Sequence, residues 1–166
     1  MNKLLSILLL GGLPALAFAA VNQAGGHGRG NNSMSGMHQD EHSPAAGKAG
    51  DPAKVSRTIG ITMDDAMRFT PSQISVKKGE TIRFAVRNAG KLQHEMVIGE
   101  IGELKNHAEM MRKMPNMEHV QANMLLLAAG QRGDIVWQFG QAGAVDFACL
   151  VPGHMETGMV GKVTVE

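Results

Sequence analysis

Apolar and polar residues alternate from Ile74 to Val76 and from Ile82 to Val86, with the period of two that is typical of strands burying one face. Ile82, Phe84 and Val86 show this most clearly, and Lys78-Gly79-Glu80 predicts a turn before them. Further turn signals separate the later apolar segments. Together these patterns predict strands at 58–62, 74–76, 82–86, 95–98, 124–127, 134–139, 144–149 and 158–165.

One segment has a different period. Leu104, Ala108 and Met111 recur at helical spacing, and Pro115 stops the run. Many short strands with Gly-rich turns and a single inserted helix are typical of two packed sheets. The sequence therefore predicts an all-β fold, an antiparallel Greek-key β-sandwich with one inserted Met-rich helix, over residues 55–166.

The first nineteen residues have the composition of a secretory signal peptide. Lys3 supplies a basic start, Leu4–Leu10 are apolar, and Ala17-Phe18-Ala19 offers small residues for cleavage after Ala19. Two glycines and Pro14 interrupt the apolar run, which makes it too short for a membrane span, although a retained anchor is the alternative. We therefore expect residues 1–19 to be a signal peptide and the mature protein to be periplasmic, with no membrane span.

Residues 20–54 are rich in Gly, Asn, Ser and Ala and lack apolar periodicity. Such a segment buries too little surface to offset its conformational entropy, so we predict a disordered tail. The tail carries five soft or imidazole side chains, His27, Met34, Met37, His38 and His42. They either capture a metal ion without a fold or are incidental to a flexible linker.

The net charge and the number of cysteines restrict the classes of function that the chain can have. The chain has 16 Lys+Arg and 15 Asp+Glu, and without Lys3 of the signal peptide it carries 15 of each. A neutral protein lacks the basic surface that nucleic acid requires, so we expect no nucleic-acid partner. The single cysteine, Cys149, has no partner in an exported chain, and is therefore an intermolecular link, an inert buried thiol or a metal ligand.

A thiol, an imidazole and a thioether lie close together in the segment Cys149-x4-His154-x4-Met159. Cys149 is predicted to end one strand and Met159 to open the last, so the three side chains share one loop. One thiolate, two imidazoles and a weak axial thioether form a type 1 copper centre. The second imidazole must come from elsewhere, and His94, before an extended segment, is the natural candidate. Each residue also has an ordinary structural role as its alternative: Cys149 as a buried thiol, His94 and His154 as loop histidines, and Met159 as a core methionine. Met155 is the alternative axial ligand.

These motifs resemble the cupredoxins, which combine an upstream Asn-x-Gly-x-x-x-His, here Asn88 to His94, with Cys-x4-His-x4-Met. The runs His94–Gly99 and Cys149–His154 and the Met-rich helix are similar to the periplasmic copper-resistance (CopI-type) cupredoxins of proteobacteria, over about residues 56–166. The resemblance implies a type 1 copper held by His94, Cys149, His154 and Met159. It also implies that His154 presents its ring edge to solvent as the electron port.

The sequence departs from the motifs of two cupredoxin families, the azurins and the plastocyanins. Azurins have one residue fewer between the second histidine and the methionine, and they have a disulfide that a chain with one cysteine cannot form. Plastocyanins have a shorter loop between the cysteine and the second histidine. The partners of azurins and plastocyanins are therefore not expected to apply here.

The helix offers a second cluster of soft donors. If Leu104, Ala108 and Met111 face the core, helical geometry places His107, Met110 and Met114 on one neighbouring face, and Met117 and His119 follow Pro115. These residues either bind a second, weakly held copper or form a methionine stripe that packs on the sandwich. For Glu95, beside His94, we expect a solvent-facing side chain rather than one that tunes the site.

Two functions remain. The first is copper tolerance, in which the protein binds Cu(I) and Cu(II), buffers or delivers copper and transfers one electron. The second is a dedicated electron carrier between respiratory complexes. We expect a monomer whose partner is a redox protein or a copper-handling protein. We do not expect an enzyme, because multicopper oxidases and nitrite reductases need His-x-His or His-Cys-His runs and this sequence has neither.

Overall fold

Two five-stranded sheets pack face to face in this computed structural model, which describes residues 45–114 and 120–166. One sheet has the strand order β1-β8-β5-β2-β3 and the other β4-β10-β9-β6-β7. The strands are β1 Lys48–Ala49, β2 Arg57–Asp64, β3 Arg68–Thr70, β4 Gln73–Val76, β5 Thr81–Asn88, β6 His94–Gly99, β7 Met124–Leu127, β8 Arg132–Gln138, β9 Gly143–Ala148 and β10 Val160–Val165. A short 3-10 helix spans Pro52–Lys54, and helix α1 spans Ile101–Lys113.

The predicted all-β sandwich with an inserted helix is confirmed, but its sheets are mixed rather than wholly antiparallel. Strand β2 pairs with β5 in parallel, and so does β4 with β10. The turn at 77–80 joins β4 to β5, yet these strands lie in different sheets. Alternation along a strand reports which face is buried, but it does not report the direction of the neighbouring strand.

The core lies between the sheets and follows the predicted alternation. Ile82, Phe84 and Val86 of β5 are all buried. Two edge-to-face aromatic pairs join elements of the core, with ring centroids 5.0 Å apart for Phe69 and Phe147, and 6.2 Å apart for Phe84 and Phe139. Such pairs add about 0.5–1.5 kcal/mol each beyond their buried area.

The folded domain begins before residue 55. Ala46 is fully buried, and its carbonyl accepts a hydrogen bond of 2.7 Å from Nε1 of the buried Trp137. Strand β1 pairs with β8, and Gly47 has a φ of 104° in close contact with Trp137. The predicted disordered tail is therefore too long at its C-terminal end, because residues 46–50 contact the first sheet and residues 52–54 form the short 3-10 helix. The remainder of that tail, 20–44, and the predicted signal peptide lie outside the described residues.

Helix α1 covers the outer face of the second sheet. The backbone N–H of Glu100 donates to Glu103 at the start of the helix, and the N–H of Met114 closes its last turn on Met110. Leu104 and Ala108 are buried against Val97, Ala148 and Leu150, as the helical period predicts, whereas Met111 is half-buried. No helix in the described part of the chain is long and apolar enough to cross a membrane.

Candidate metal centre

Three of the four predicted ligands converge at one end of the second sheet. His94, Cys149 and His154 each offer one donor atom, and these atoms lie within 4.8 Å of one another. Nδ1 of His154 is 3.2 Å from Nδ1 of His94 and 3.3 Å from Sγ of Cys149. His94 and Cys149 are fully buried, while His154 is half-buried. Within residues 45–114 and 120–166, no second group of three His, Cys, Asp or Glu side chains approaches in this way.

The two central strands of the sheet position two of these residues. His94 opens β6 and Cys149 directly follows β9, and the antiparallel pairing of Val97 with Ala148 brings both strand ends together. The backbone N–H of Glu95 donates to Sγ of Cys149 at 3.3 Å, so β6 also contacts the sulfur directly. The arrangement therefore depends on the register between β6 and β9.

The loop from Cys149 to Met159 is closed at its ends by a backbone hydrogen bond of 3.1 Å from Cys149 N to Met159 O. Both residues lie just outside their strands, which end at Ala148 and begin at Val160, so the predicted strand bounds were too long. Met159 N donates to His154 O at 3.1 Å, and Gly153 has a φ of 87°. This turn folds His154 back toward Cys149.

The two candidate axial methionines lie in different environments. Met159 is fully buried and belongs to the main core cluster together with Cys149. Met155 is half-buried and packs on the cluster between α1 and the sheet, which contains Leu104 and Leu150. Met159 also lies next to Cys149, through the backbone hydrogen bond of 3.1 Å from Cys149 N to Met159 O, so its burial and position suit an axial ligand better than those of Met155.

The donor set fits copper. First-row ions bind imidazole nitrogen at about 2.0–2.1 Å and thiolate sulfur at about 2.3 Å, so donors that share one ion lie close to one another, as the three here do. A thiolate with imidazoles selects copper or zinc, and an additional thioether favours copper. The residues present therefore suit a type 1 copper ion.

Burial shapes the protonation of the donors. Desolvation raises the pKa of the Cys149 thiol to about 11, so the thiolate needs a positive charge beside it. Burial, followed by the neighbouring His94, lowers the pKa of His154, which keeps this imidazole neutral and able to ligate. The protein thus presents a thiol that ionises on binding a cation and an imidazole that needs no deprotonation.

Sequence reasoning missed Asp65, whose Oδ1 lies 3.1 Å from Nε2 of His94. The carboxylate also accepts backbone N–H groups from Lys91 and Leu92, which together with His94 lower its pKa. No sequence signal links Asp65 to His94, because they are 29 residues apart, with Asp65 in the turn after β2 of the first sheet and His94 at the start of β6 in the second. The upstream motif is also explained: the Asn88 side chain donates to Leu92 O and Leu127 O and so fixes the turn before His94.

The expectation that Glu95 faces solvent is wrong, because its side chain is buried, at 8% exposure. Glu95 shares a face of β6 with Val97, on the side covered by α1, and β6 lies between β9 and β7. Burial raises the pKa of Glu95 to about 7, against a smaller lowering by the Leu150 N–H. The alternation rule failed here because both faces of β6 are covered.

The second cluster of predicted donors is only partly described. His107 and Met110 on α1 are half-buried and Met114 is exposed. His107 and Met110 lie within α1, whereas Met114 is the C-cap residue that follows it, so the predicted donor face is only partly helical. The other candidates lie outside the described residues, namely Met117, His119, His27, Met34, Met37, His38 and His42.

The sequence is similar to known copper-binding proteins. Residues 55–166 match the family model described as copper binding proteins, plastocyanin/azurin family. The chain is 46% identical to the copper-resistant cuproprotein CopI of Rubrivivax gelatinosus, over 99% of this chain and 98% of the relative. It is 32% identical to the protein of the same name from Pseudomonas aeruginosa, over 75% of this chain and 84% of the relative.

Solved structures agree with the fold. Reduced auracyanin from the photosynthetic bacterium Roseiflexus castenholzii superposes with a TM-score of 0.57, covering 68% of this chain and 98% of that protein. The two sequences are 22% identical, so this similarity concerns the fold alone.

Proposed function

Because the chain belongs to the plastocyanin/azurin family of copper-binding proteins, we propose that it is an exported copper-tolerance protein with one type 1 copper centre. His94, Cys149, His154 and Met159 hold the ion. The observation that carries this proposal is the convergence of two Nδ1 atoms and one Sγ atom within 4.8 Å. Bound copper supplies a single electron that can be taken up and released.

The chain's own residues keep the pocket in one shape. His94 and Cys149 are anchored at the ends of paired strands, and the Cys149–Met159 backbone bond closes the loop. The Glu95 N–H stabilises negative charge on Sγ. A pocket fixed in this way suits both oxidation states and needs little rearrangement between them.

The relatives' names support a role in copper tolerance, since the curated proteins from Rubrivivax gelatinosus and Pseudomonas aeruginosa are called copper-resistant cuproproteins. We transfer that role to this chain, together with a periplasmic location after removal of residues 1–19. The protein binds and passes on copper or electrons and is not an enzyme, and its partner is a redox or copper-handling protein. The half-buried His154 is the ligand through which such a partner reaches the ion.

The test is the visible and EPR spectrum of the purified mature protein after addition of Cu(II), with copper counted per chain. An intense thiolate-to-copper band near about 600 nm, alone or with one near about 450 nm, supports the centre. Cys149→Ser should abolish the band. Retained colour in that variant, or only weak EPR signals of tetragonal copper in the wild type, would refute the assignment of the four ligands.

A dedicated electron carrier is the second candidate, favoured by the half-exposed ring of His154 beside otherwise buried ligands. Deleting the gene separates the two functions. Growth that becomes sensitive to copper salts supports tolerance, whereas growth that is unaffected by copper but deficient in respiration supports the carrier.

The helix and the tail are proposed as additional weak copper sites. Simultaneous replacement of Met110, Met114 and Met117 by leucine should lower the number of copper ions bound per chain, because thioethers are lost while apolar bulk is kept. An unchanged stoichiometry would mean that this stripe only packs on the sandwich.

A further inference from the structure

The ring of His94 is held on both sides. Its Nδ1 faces His154 at 3.2 Å, on the side where Cys149 lies, and its Nε2 lies 3.1 Å from Oδ1 of Asp65. The histidine side chain is fully buried, whereas that of Asp65 is 36% exposed. Asp65 therefore stands at the outer edge of the centre, between His94 and solvent.

Asp65 is itself fixed by the turn that leads into His94. Its Oδ2 accepts the backbone N–H of Lys91 at 2.8 Å, and its Oδ1 accepts that of Leu92 at 3.1 Å. A methyl group at Gly90 would overlap Oδ1 of Asp65, so glycine at this position leaves room for the carboxylate. The 90–92 turn and the carboxylate thus form one rigid unit around the ring.

The protonation of the ring follows from this geometry. Nδ1 must be unprotonated to act as a ligand, so the single proton of the neutral ring belongs on Nε2. From there it is donated to Oδ1 of Asp65. A carboxylate in this place selects the ligating tautomer, fixes the ring plane and makes the imidazole a stronger donor.

We propose that Asp65 is the positioning residue for His94, forming a carboxylate–histidine–copper relay that selects the Nδ1-ligating tautomer and strengthens Cu(II) binding. The proposal rests on the proposed function, because it takes His94 as a copper ligand. Asp65 acts only through the ring and does not contact the ion.

The test compares Asp65→Ala, Asp65→Asn and the control Asp64→Asn. Asp64 is the adjacent residue and bonds to the N–H of Ala66, so its variant removes the same charge without touching His94. We expect Asp65→Ala to weaken Cu(II) binding by about 10–100-fold, which is typical for loss of a partner of a metal-bound histidine. Asp65→Asn, which keeps an acceptor, should lose less, and Asp64→Asn should match the wild type.

The second readout is the ring nitrogen NMR spectrum of the metal-free and Cu(I) proteins. In the metal-free protein we expect the Nε2–H tautomer of His94 in the wild type and in Asp65→Asn, and a mixture of tautomers in Asp65→Ala. In the Cu(I) protein, ligation through Nδ1 leaves the proton on Nε2 in all three proteins. A residue with a merely structural role would lower stability without changing this spectrum. Should Asp65→Ala not fold, Asp65→Asn decides alone, since weaker Cu(II) binding with the tautomer retained supports the relay.

Gly90→Ala provides an independent check, because it should displace the carboxylate and weaken Cu(II) binding in the same direction. In an Asp65→Ala background its effect should be much smaller. Cu(II) affinity and tautomer that are unchanged in Asp65→Ala would overturn the relay while leaving the copper centre intact. A wild-type protein without the Cys149-dependent band would instead refute the proposed function.

Discussion

Trp137 and residues 45–54 form one structural unit, and replacing Trp137 by phenylalanine tests it. The substitution keeps most of the buried aromatic volume but removes the Nε1–H that donates to Ala46 O at 2.7 Å. Since Ala46 is fully buried, no water reaches the carbonyl that is left without a donor. The same substitution in a protein that starts at residue 55 has no such carbonyl to leave unpaired.

The loss of unfolding free energy follows from the missing donor and from the smaller ring. A buried carbonyl deprived of its donor costs about 1–3 kcal/mol of unfolding free energy. The smaller ring adds about 1 kcal/mol for lost packing, and this part is present in both proteins. The difference between the two backgrounds should therefore be about 1–3 kcal/mol, which for a domain of this size corresponds to several degrees in Tm.

Urea denaturation measures the difference in unfolding free energy between the two backgrounds. The metal-free proteins are used because bound copper would itself stabilise the folded state. Equal losses for Trp137→Phe in the proteins starting at 45 and at 55 would refute the assigned contact. Gly47→Ala in the longer protein gives a second reading that does not depend on the truncated one. Because Gly47 has a φ of 104°, alanine should destabilise a docked segment, whereas in a disordered tail it would be neutral.

Three further predictions concern the axial ligand, pH and the tail. Met159→Leu should keep copper but shift the reduction potential measured by voltammetry, while Met155→Leu should not; equal shifts would contradict the choice of Met159. Arg57 holds the pKa of Glu80 below its usual value, so the stability from this pair is present above about pH 4.5 and is lost as pH falls. Glu80→Gln should therefore lower stability in urea more at pH 7 than at pH 3, and an equal loss at both would exclude the ion pair. Deleting residues 20–44 should lower the copper bound per chain without changing the colour of the domain, and unchanged stoichiometry would leave the tail without a copper role.

The strands and helix were predictable where a single local period decides burial. Ile82, Phe84 and Val86 alternate because one face of β5 meets the core, and Leu104 and Ala108 follow the helical period because one side of α1 meets the sheet. Strand β1 escaped prediction because it has only two exposed residues and therefore no pattern. Its docking depends on Ala46, whose partner Trp137 is 91 residues away.

The three donors that the structure brings together, His94, Cys149 and His154, were predictable because their chemistry is concentrated in one short loop and one upstream histidine. Their surroundings were not, because Asp65 meets His94 only through the packing of two sheets. Glu95 was misjudged for a related reason, since its burial comes from α1 and from the flanking strands. Sequence spacing identifies donors, whereas the groups that tune them are brought in by tertiary structure.

The loop that carries His154 is held from all three layers of the fold. The first sheet contributes Arg68, whose guanidinium donates to Thr157 O at 3.2 Å. The second sheet closes the loop through the Cys149–Met159 backbone bond, and α1 contributes Arg112, which pairs with Glu156. Of the four proposed ligands, only His154, on this loop, is partly open to solvent, so the proposed function places a partner's approach at this loop. Contacts from both sheets and from the helix therefore hold the one proposed ligand that is partly exposed.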